Sequence, residues 1–156
     1  MNPTALVAIA NAAFAQEALA MPGMTLRGGD ALDGYQEPPP FDPIIDAITD
    51  AYLEQYAGGL TFLDAASWRH YLPHFIEYSI RHVEQGTDVC DALLNNLRPP
   101  DRTPPRLASL SPEQENVVTA FLDLLAFSES SAHKDFACQI LEEWWVPGAL
   151  YRVRAE

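Results

Sequence analysis

Apolar residues recur along most of the chain three and four positions apart, which is the spacing of one face of an α-helix. The first such run consists of Leu6, Ile9, Ala10, Ala13 and Phe14. It follows Asn2 and Pro3, a pair that is typical of a helix N-terminus, and it stops at Pro22 and Gly23. The sequence therefore predicts an N-terminal helix within residues 1–21.

Residues 22–41 contain four glycines and four prolines, a composition that predicts an irregular connection or an ordered loop anchored by Leu32 and Tyr35. A second helix is predicted to begin at Asp42 and Pro43 and to end at the Gly58–Gly59 pair. Its apolar face would consist of Ile44, Ile45, Ile48, Tyr52 and Tyr56. We interpret the glycine pairs at 28–29 and 58–59 as turns.

The opposite face of this second predicted helix is purely anionic. It carries Asp46, Asp50 and Glu54 at intervals of four residues, with no cation among them. Like charges at this spacing destabilise a helix by about 0.2–0.5 kcal/mol per pair. The stripe is either a solvated face or a surface that binds a cationic partner.

A third helix is predicted after Asp64, which can cap it. Its apolar side would hold Trp68, Tyr71, Leu72, Phe75, Ile76, Ser79 and Val83, and its polar side His70, His74, Glu77 and Arg81. Pro73 lies between the two histidines and costs about 3 kcal/mol in a helix interior. It therefore either kinks this helix or divides it.

The two histidines raise the question of a catalytic site. His70, His74 and Glu77 could supply three zinc ligands or an acid–base pair. However, the segment lacks the H-E-x-x-H order, and the chain contains neither a G-x-S-x-G elbow nor a glycine-rich phosphate loop. We therefore expect solvated or partner-facing histidines with no metal or cofactor, and an enzyme site around them is the alternative.

The second half of the chain contains further helix signals. Thr87 and Asp88 can cap a short helix, and Ser111 with Gln114 forms a capping box. Between them, LRPPDRTPPRL is predicted to be an extended surface segment whose arginines pair with the acidic helices. A last helix follows Ser128–Ser131 and contains Trp144 and Trp145, of which one should pack in the core and the other at its margin or an interface.

These patterns predict an all-α fold, an irregular bundle of about six helices with Pro/Gly-rich loops. The 156 residues fit a single domain, with a helical core over residues 42–146 and a tail over residues 147–156. Hydrophobic residues make up 48% of the chain, so a packed core is expected.

Charge narrows the possible partners. Nine Lys and Arg face 22 Asp and Glu, which gives a formal net charge of -13. Nucleic acid is an unsuitable ligand for such a chain, because phosphate binding depends on clustered cations. Cys90 and Cys138 are too few for a disulfide framework, no run is long enough for a membrane span, and no cation precedes Arg27 as a signal peptide would require. We expect a cytoplasmic protein.

Three segments together resemble a family of small uncharacterised bacterial proteins, described as a domain of unknown function. They are LTFLDAASWRHYLPHFIEYSIR, LRPPDRTPPRLASLSPEQENVVTAFLDLLA and the closing ILEEWW. The features that resemble the family are a Phe-Leu-Asp helix start, a Tyr-Leu-Pro segment and a Leu-Ser-Pro-Glu-Gln helix start. TLRGGDALDGY also resembles the family, so the likeness covers most of the chain. It implies membership and no catalytic residues.

The leading functional hypothesis is an acidic protein-binding module, most concretely an immunity protein that neutralises a bacterial toxin by covering a basic surface. Its contact residues would be Asp46, Asp50, Glu54, Glu142 and Glu143. The alternatives are the enzyme site around His70, His74 and Glu77, and self-association through Trp144 and Trp145.

Overall fold

The computed structural model describes residues 2–152 and is helical throughout, with no strand in that range, so the predicted all-α class is confirmed. Eight α-helices are present where about six were expected: α1 (Pro3–Ala13), α2 (Ala15–Leu19), α3 (Leu26–Asp33), α4 (Asp50–Tyr56), α5 (Ala65–Arg81), α6 (Asp88–Asn96), α7 (Pro112–Phe127) and α8 (Lys134–Ile140). Two 3₁₀ segments, Ala57–Phe62 and Leu107–Ser109, and a π-helical turn at Leu141–Trp145 complete the fold.

The N-terminal segment forms two helices instead of one. The Asn2 side chain caps α1 as predicted and accepts the Thr4 N–H at 2.7 Å. Helix α1 ends at Ala13, and Phe14, which is fully buried, joins it to α2. This joint turns α2 so that it packs on α5. Met1 and residues 153–156 of the predicted tail lie outside the described residues.

The segment 22–41 was predicted to be an irregular connection or an ordered loop, but it contains α3, and its two predicted anchors, Leu32 and Tyr35, are exposed. Thr25 caps this helix by accepting the Gly28 N–H at 2.9 Å. The two glycine pairs are also not simple turns. Gly29 and Gly59 are buried where α3 crosses the 3₁₀ helix Ala57–Phe62, and a Cβ added to either would collide with the backbone of the other segment. Glycine is used here because the two backbones touch.

The second predicted helix begins seven residues late. Residues 43–46 form a turn and residues 47–49 are irregular, so α4 starts after Thr49, whose hydroxyl accepts the Tyr52 N–H at 3.1 Å. Asp42 caps only a single turn, accepting the N–H groups of Ile44 and Ile45 at 2.8 and 3.0 Å. The predicted apolar face is therefore wrong at Ile44 and Ile45, both of which are exposed.

Helix α5 runs through the centre of the molecule and is continuous across Pro73. Asp64 caps it by accepting the Ser67 N–H at 2.9 Å. The predicted apolar side is confirmed for its large members, of which Trp68, Tyr71, Leu72, Phe75 and Ile76 are each at most 1% exposed. They form one core with the apolar faces of α1, α6 and α7.

The predicted starts of α6 and α7 are confirmed, whereas the prediction that Ser128–Ser131 cap the last helix is wrong, because α8 begins at Lys134 with His133 as its N-cap and no side-chain cap bond. Thr87 caps α6, and Ser111 and Gln114 form the predicted capping box of α7. Trp145 is buried and donates its indole N–H to the Leu97 carbonyl at 2.9 Å, whereas Trp144 is only partly buried. Cys90 and Cys138 are free thiols.

The proline-rich segment 98–106 is more ordered than an extended surface strand. The Asp101 carboxylate accepts the backbone N–H groups of Arg106, Leu107 and Ala108, each at 2.9 Å. Arg106 is buried and donates to the carbonyls of Thr61 and Leu63. The segment thus holds the end of the 3₁₀ helix Ala57–Phe62 in place.

We expect Gly59→Ala to lower the free energy of unfolding by about 3 kcal/mol, because the new methyl group must push the two backbones apart. Gly58→Ala is the matched control, since no atom lies within 4 Å of its added Cβ. It should leave stability unchanged or raise it by less than about 1 kcal/mol. Urea unfolding of the two variants measures the difference, and equal stabilities would contradict the proposed backbone contact.

Candidate interaction surface

Asp46 is not part of an exposed stripe. Its carboxylate is buried and accepts hydrogen bonds from Arg27 Nε and Nη2 at 3.0 and 2.9 Å, from the Tyr52 hydroxyl at 2.8 Å and from the Asp42 N–H at 2.8 Å. The prediction that Asp46 faces a partner is therefore wrong. Because α4 starts only at Asp50, Asp46 is free to turn inward and bind Arg27 on α3.

This network sets the ionisation of its members. Burial opposes ionisation of Asp46, but the hydrogen bonds from Arg27, the Asp42 N–H and Tyr52 outweigh it and lower the pKa of the carboxyl. Burial raises the pKa of Tyr52, so its hydroxyl remains a proton donor. A carboxylate with four donors and a buried phenol is a structural support that holds residues 40–46 on α3.

Asp50 and Glu54 are exposed, but both are engaged by α5. Arg81 donates to the two Asp50 oxygens at 2.7 and 3.0 Å and also bonds Glu77. Glu54 accepts the Tyr78 hydroxyl at 2.7 Å. Burial, followed by this bond to Glu54, raises the pKa of Tyr78 to about 12. The cation that the sequence pattern lacked is thus supplied from a different helix.

The two acidic residues before the tryptophans differ from each other. Glu143 is buried and pairs with Arg98 at 2.7 Å, so the prediction that it faces a partner is wrong, and Arg98 does pair with an acidic helix as predicted. Glu142 is exposed. The inward position of Glu143 follows from the π-helical turn Leu141–Trp145, which rotates successive side chains differently from an α-helix.

The structure does not group His70, His74 and Glu77 as metal ligands. His70 was expected on a solvated face but is buried beneath α2, with Nδ1 2.7 Å from the Glu17 carbonyl oxygen. The His70 and His74 ring centroids are 6.4 Å apart, and Glu77 is held by Arg81. Burial, with His70 nearby, lowers the pKa of His74. Within residues 2–152, no three His, Cys, Asp or Glu side chains are grouped to hold a metal ion.

In two of the surface clefts, the polar lining groups are few or already paired. A cleft of about 370 Å³ is lined by Glu17, Arg69 and Gln114, yet Gln114 is bonded to Glu17 and to the Ala13 carbonyl, and Arg69 lies 3.5 Å from Glu17. A second cleft of about 450 Å³ is lined by prolines, Trp144 and Tyr151. Small-ligand sites usually present a few polar groups aimed at the ligand. In the first cleft, Gln114 and Arg69 are already engaged by other protein groups.

An exposed apolar loop, residues 35–45, is the surface feature that the sequence analysis missed. Its large side chains are Tyr35, Phe41, Ile44 and Ile45, with exposed fractions of 101%, 42%, 86% and 51%. The helical spacing of Ile44 and Ile45 relative to Ile48 concealed them, because that spacing also fits a buried helix face. Pro38–Pro40 gave no warning, because a proline disfavours a helix only at the residue before it and leaves residues 43–48 free to be helical.

Tyr35 occupies an unusual backbone position in this loop. Helix α3 ends in a Schellman arrangement, in which the Gln36 N–H bonds the Ala31 carbonyl at 2.8 Å and the Tyr35 N–H bonds the Leu32 carbonyl at 3.0 Å. In this arrangement the left-handed position is occupied by Tyr35, whose φ is 58°. Glycine is the usual choice there, and a residue with a Cβ costs about 1–2 kcal/mol. Tyr35 offsets none of this by packing, since its side chain is fully exposed.

Comparison with known proteins identifies the family. Residues 2–149 match the family described as "Family of unknown function (DUF6714)", and the chain belongs to it. This confirms the membership in an uncharacterised family that the motifs indicated. Neither the curated proteins nor the solved structures yielded a match. No helix in the described range has the length and apolar character to cross a membrane.

We expect Asp46→Asn to lower the free energy of unfolding by about 3 kcal/mol at neutral pH, because it leaves Arg27 without its buried partner. The loss should shrink as pH falls below about 4: the folded pKa of Asp46 lies below its unfolded value, so its contribution is present above the unfolded pKa and disappears as the carboxyl is protonated.

Urea unfolding at neutral pH and at several acidic pH values would measure this effect. Asp50→Asn is the matched control, because that carboxylate also bonds an arginine but is half exposed. Its loss should stay below about 1 kcal/mol. An Asp46→Asn deficit that did not change with pH would contradict the assigned ion pair.

Proposed function

We propose that the protein is an acidic protein-binding module that covers a basic surface of its partner, most concretely an immunity protein that neutralises a toxin. The observation that carries this proposal is the division of charge between interior contacts and surface. Within residues 2–152, six of the seven arginines are engaged by carboxylates or carbonyls of the chain, whereas many carboxylates have no cation within ion-pair distance. The exposed carboxylates therefore leave a predominantly anionic surface, in keeping with the net charge of -13.

The engaged arginines are distributed along the chain. Five of them form ion pairs with carboxylates within 3.5 Å: Arg27, Arg69, Arg81, Arg98 and Arg152. Arg106 is used by two carbonyls. Arg102 is the exception, being exposed and, within residues 2–152, without an acidic partner. A cationic protein approaching this surface meets little repulsion.

The carboxylates available for such a partner differ from the predicted set. Asp46 and Glu143 are buried in ion pairs and cannot take part. Asp50, Glu54 and Glu142 remain accessible. We assign Glu54 and Glu142 as the contact candidates, because Asp50 already shares Arg81 with Glu77.

The first experiment is a pull-down with the immobilised full chain, washed over a salt series. We expect one basic protein to be retained at a stoichiometric ratio and released as salt rises, because ionic strength screens exposed charges. The captured protein is then purified and its affinity is measured directly. Failure to retain any basic protein, or retention that does not depend on salt, would contradict the proposal.

Neutralising variants then locate the contact. We expect Glu54→Gln with Glu142→Gln to weaken binding of the purified partner by about threefold to tenfold. Asp123→Asn with Glu129→Gln is the control, because it removes the same charge from other exposed positions. Equal losses for both pairs would show general steering and would refute these two residues as the contact.

A further inference from the structure

We propose that the exposed apolar loop, residues 35–45, is the anchor by which this protein docks on a partner whose contact site is an apolar surface flanked by Lys or Arg. The inference rests on the proposed function and names the surface and the chemistry that it leaves open. It does not follow from net charge, because the loop side chains that make the contact are apolar.

Several large exposed apolar side chains lie in this one loop. Single exposed apolar side chains are normal on protein surfaces. Here Ile44 and Ile45 are adjacent, Phe41 precedes them, and Tyr35 lies at the other end of the same loop. Large side chains of this type are the ones that enter partner pockets and contribute most to affinity.

The structure holds this loop in place. Asp46 accepts the Asp42 N–H, Asp42 accepts the N–H groups of Ile44 and Ile45, and Arg27 donates to the Pro40 carbonyl at 3.2 Å. Buried charge is therefore used to fix a turn whose side chains face solvent. Such preorganisation lowers the entropy lost on binding and raises affinity.

Tyr35 gives independent support. A residue in a strained backbone region whose side chain makes no contact of its own is a pointer to a contact outside the molecule. Glycine or asparagine would satisfy the end of α3 better. The tyrosine is explained if its ring, an amphipathic group favoured at interfaces, packs against a partner.

The charges around the loop favour a cationic partner. No Lys or Arg occurs between Arg27 and Arg69, and Arg27 is paired with Asp46. Asp33 precedes the loop, and Glu37 and Asp42 lie within it. An apolar surface flanked by cations matches these residues. A second copy of the chain would bring like charges together, and an anionic membrane would repel these carboxylates.

The test uses a defined probe: a synthetic helical peptide with a leucine stripe flanked by lysines, titrated into the ¹⁵N-labelled full chain and followed by amide chemical shifts. We expect the shifts to cluster at residues 33–46. A peptide with the same leucines and with glutamates in place of lysines should not bind.

Matched variants separate the loop from general stickiness. Ile44→Ser with Ile45→Ser should weaken binding of the lysine peptide at least about tenfold. Leu19→Ser with Phe127→Ser is the control, because these side chains are 89% and 75% exposed elsewhere and should leave affinity unchanged. Tyr35→Gly should raise the unfolding midpoint while weakening binding, a combination that a purely structural tyrosine would not give.

Each of the remaining outcomes would contradict a named part of the proposal. Binding of the lysine peptide with shifts elsewhere, or equal losses in both double variants, would overturn the loop and leave the acidic module standing. Equal binding of the glutamate peptide would overturn the flanking cations. Concentration-dependent dimerisation that is lost in the isoleucine variant would identify a second copy as the occupant. No binding of the lysine peptide even at low salt would overturn the loop as the anchor, whereas the acidic module is tested separately by the salt-dependent pull-down.

Discussion

The contact between Gly29 and Gly59 is the constraint on which the rest of this half of the molecule depends. It brings α3 against the 3₁₀ helix Ala57–Phe62 at backbone distance, and α4 and α5 leave from the two ends of that 3₁₀ helix. The crossing therefore sets where Arg27 on α3 lies relative to Tyr52 on α4. A side chain at either glycine would separate the two groups that hold Asp46.

Asp46 shows how this geometry changes the meaning of a charge. From the sequence alone, an aspartate without a neighbouring cation is predicted to face solvent. The contact between α3 and the 3₁₀ helix, however, places Arg27 and Tyr52 beside Asp46. A buried ion pair of this kind contributes little net stability compared with apolar packing, yet it is strict about geometry. Its consequence is a fixed loop: the same carboxylate that pairs with Arg27 also holds the Asp42 N–H. Interior electrostatics thus determine which apolar side chains reach the surface.

The features that were predictable are those whose causes are local in sequence. The caps at Asn2, Thr87 and Ser111 depend on neighbours within three residues, and all three form. The large apolar side of α5 follows from periodicity. The errors concern long-range partners: His70 is covered by α2 through a bond that spans 53 residues, and Glu143 meets Arg98 across 45. No spacing rule contains that information, because side chains were judged without knowing which helix would cover them.

Charge and apolar area act on different parts of one binding process. A surface whose cations are mostly committed internally keeps a broad negative field, which accelerates the approach of a basic partner but discriminates weakly between partners. A small, rigid apolar anchor adds little to that approach and acts chiefly on the rate of dissociation. Arg27 and Asp46 hold the loop at residues 35–45. Their charges are paired with each other and add little to the surface potential, but they position the apolar side chains of the proposed anchor. In the proposed binding mode, this division gives the buried ion pair a role, because it holds two isoleucines at the surface.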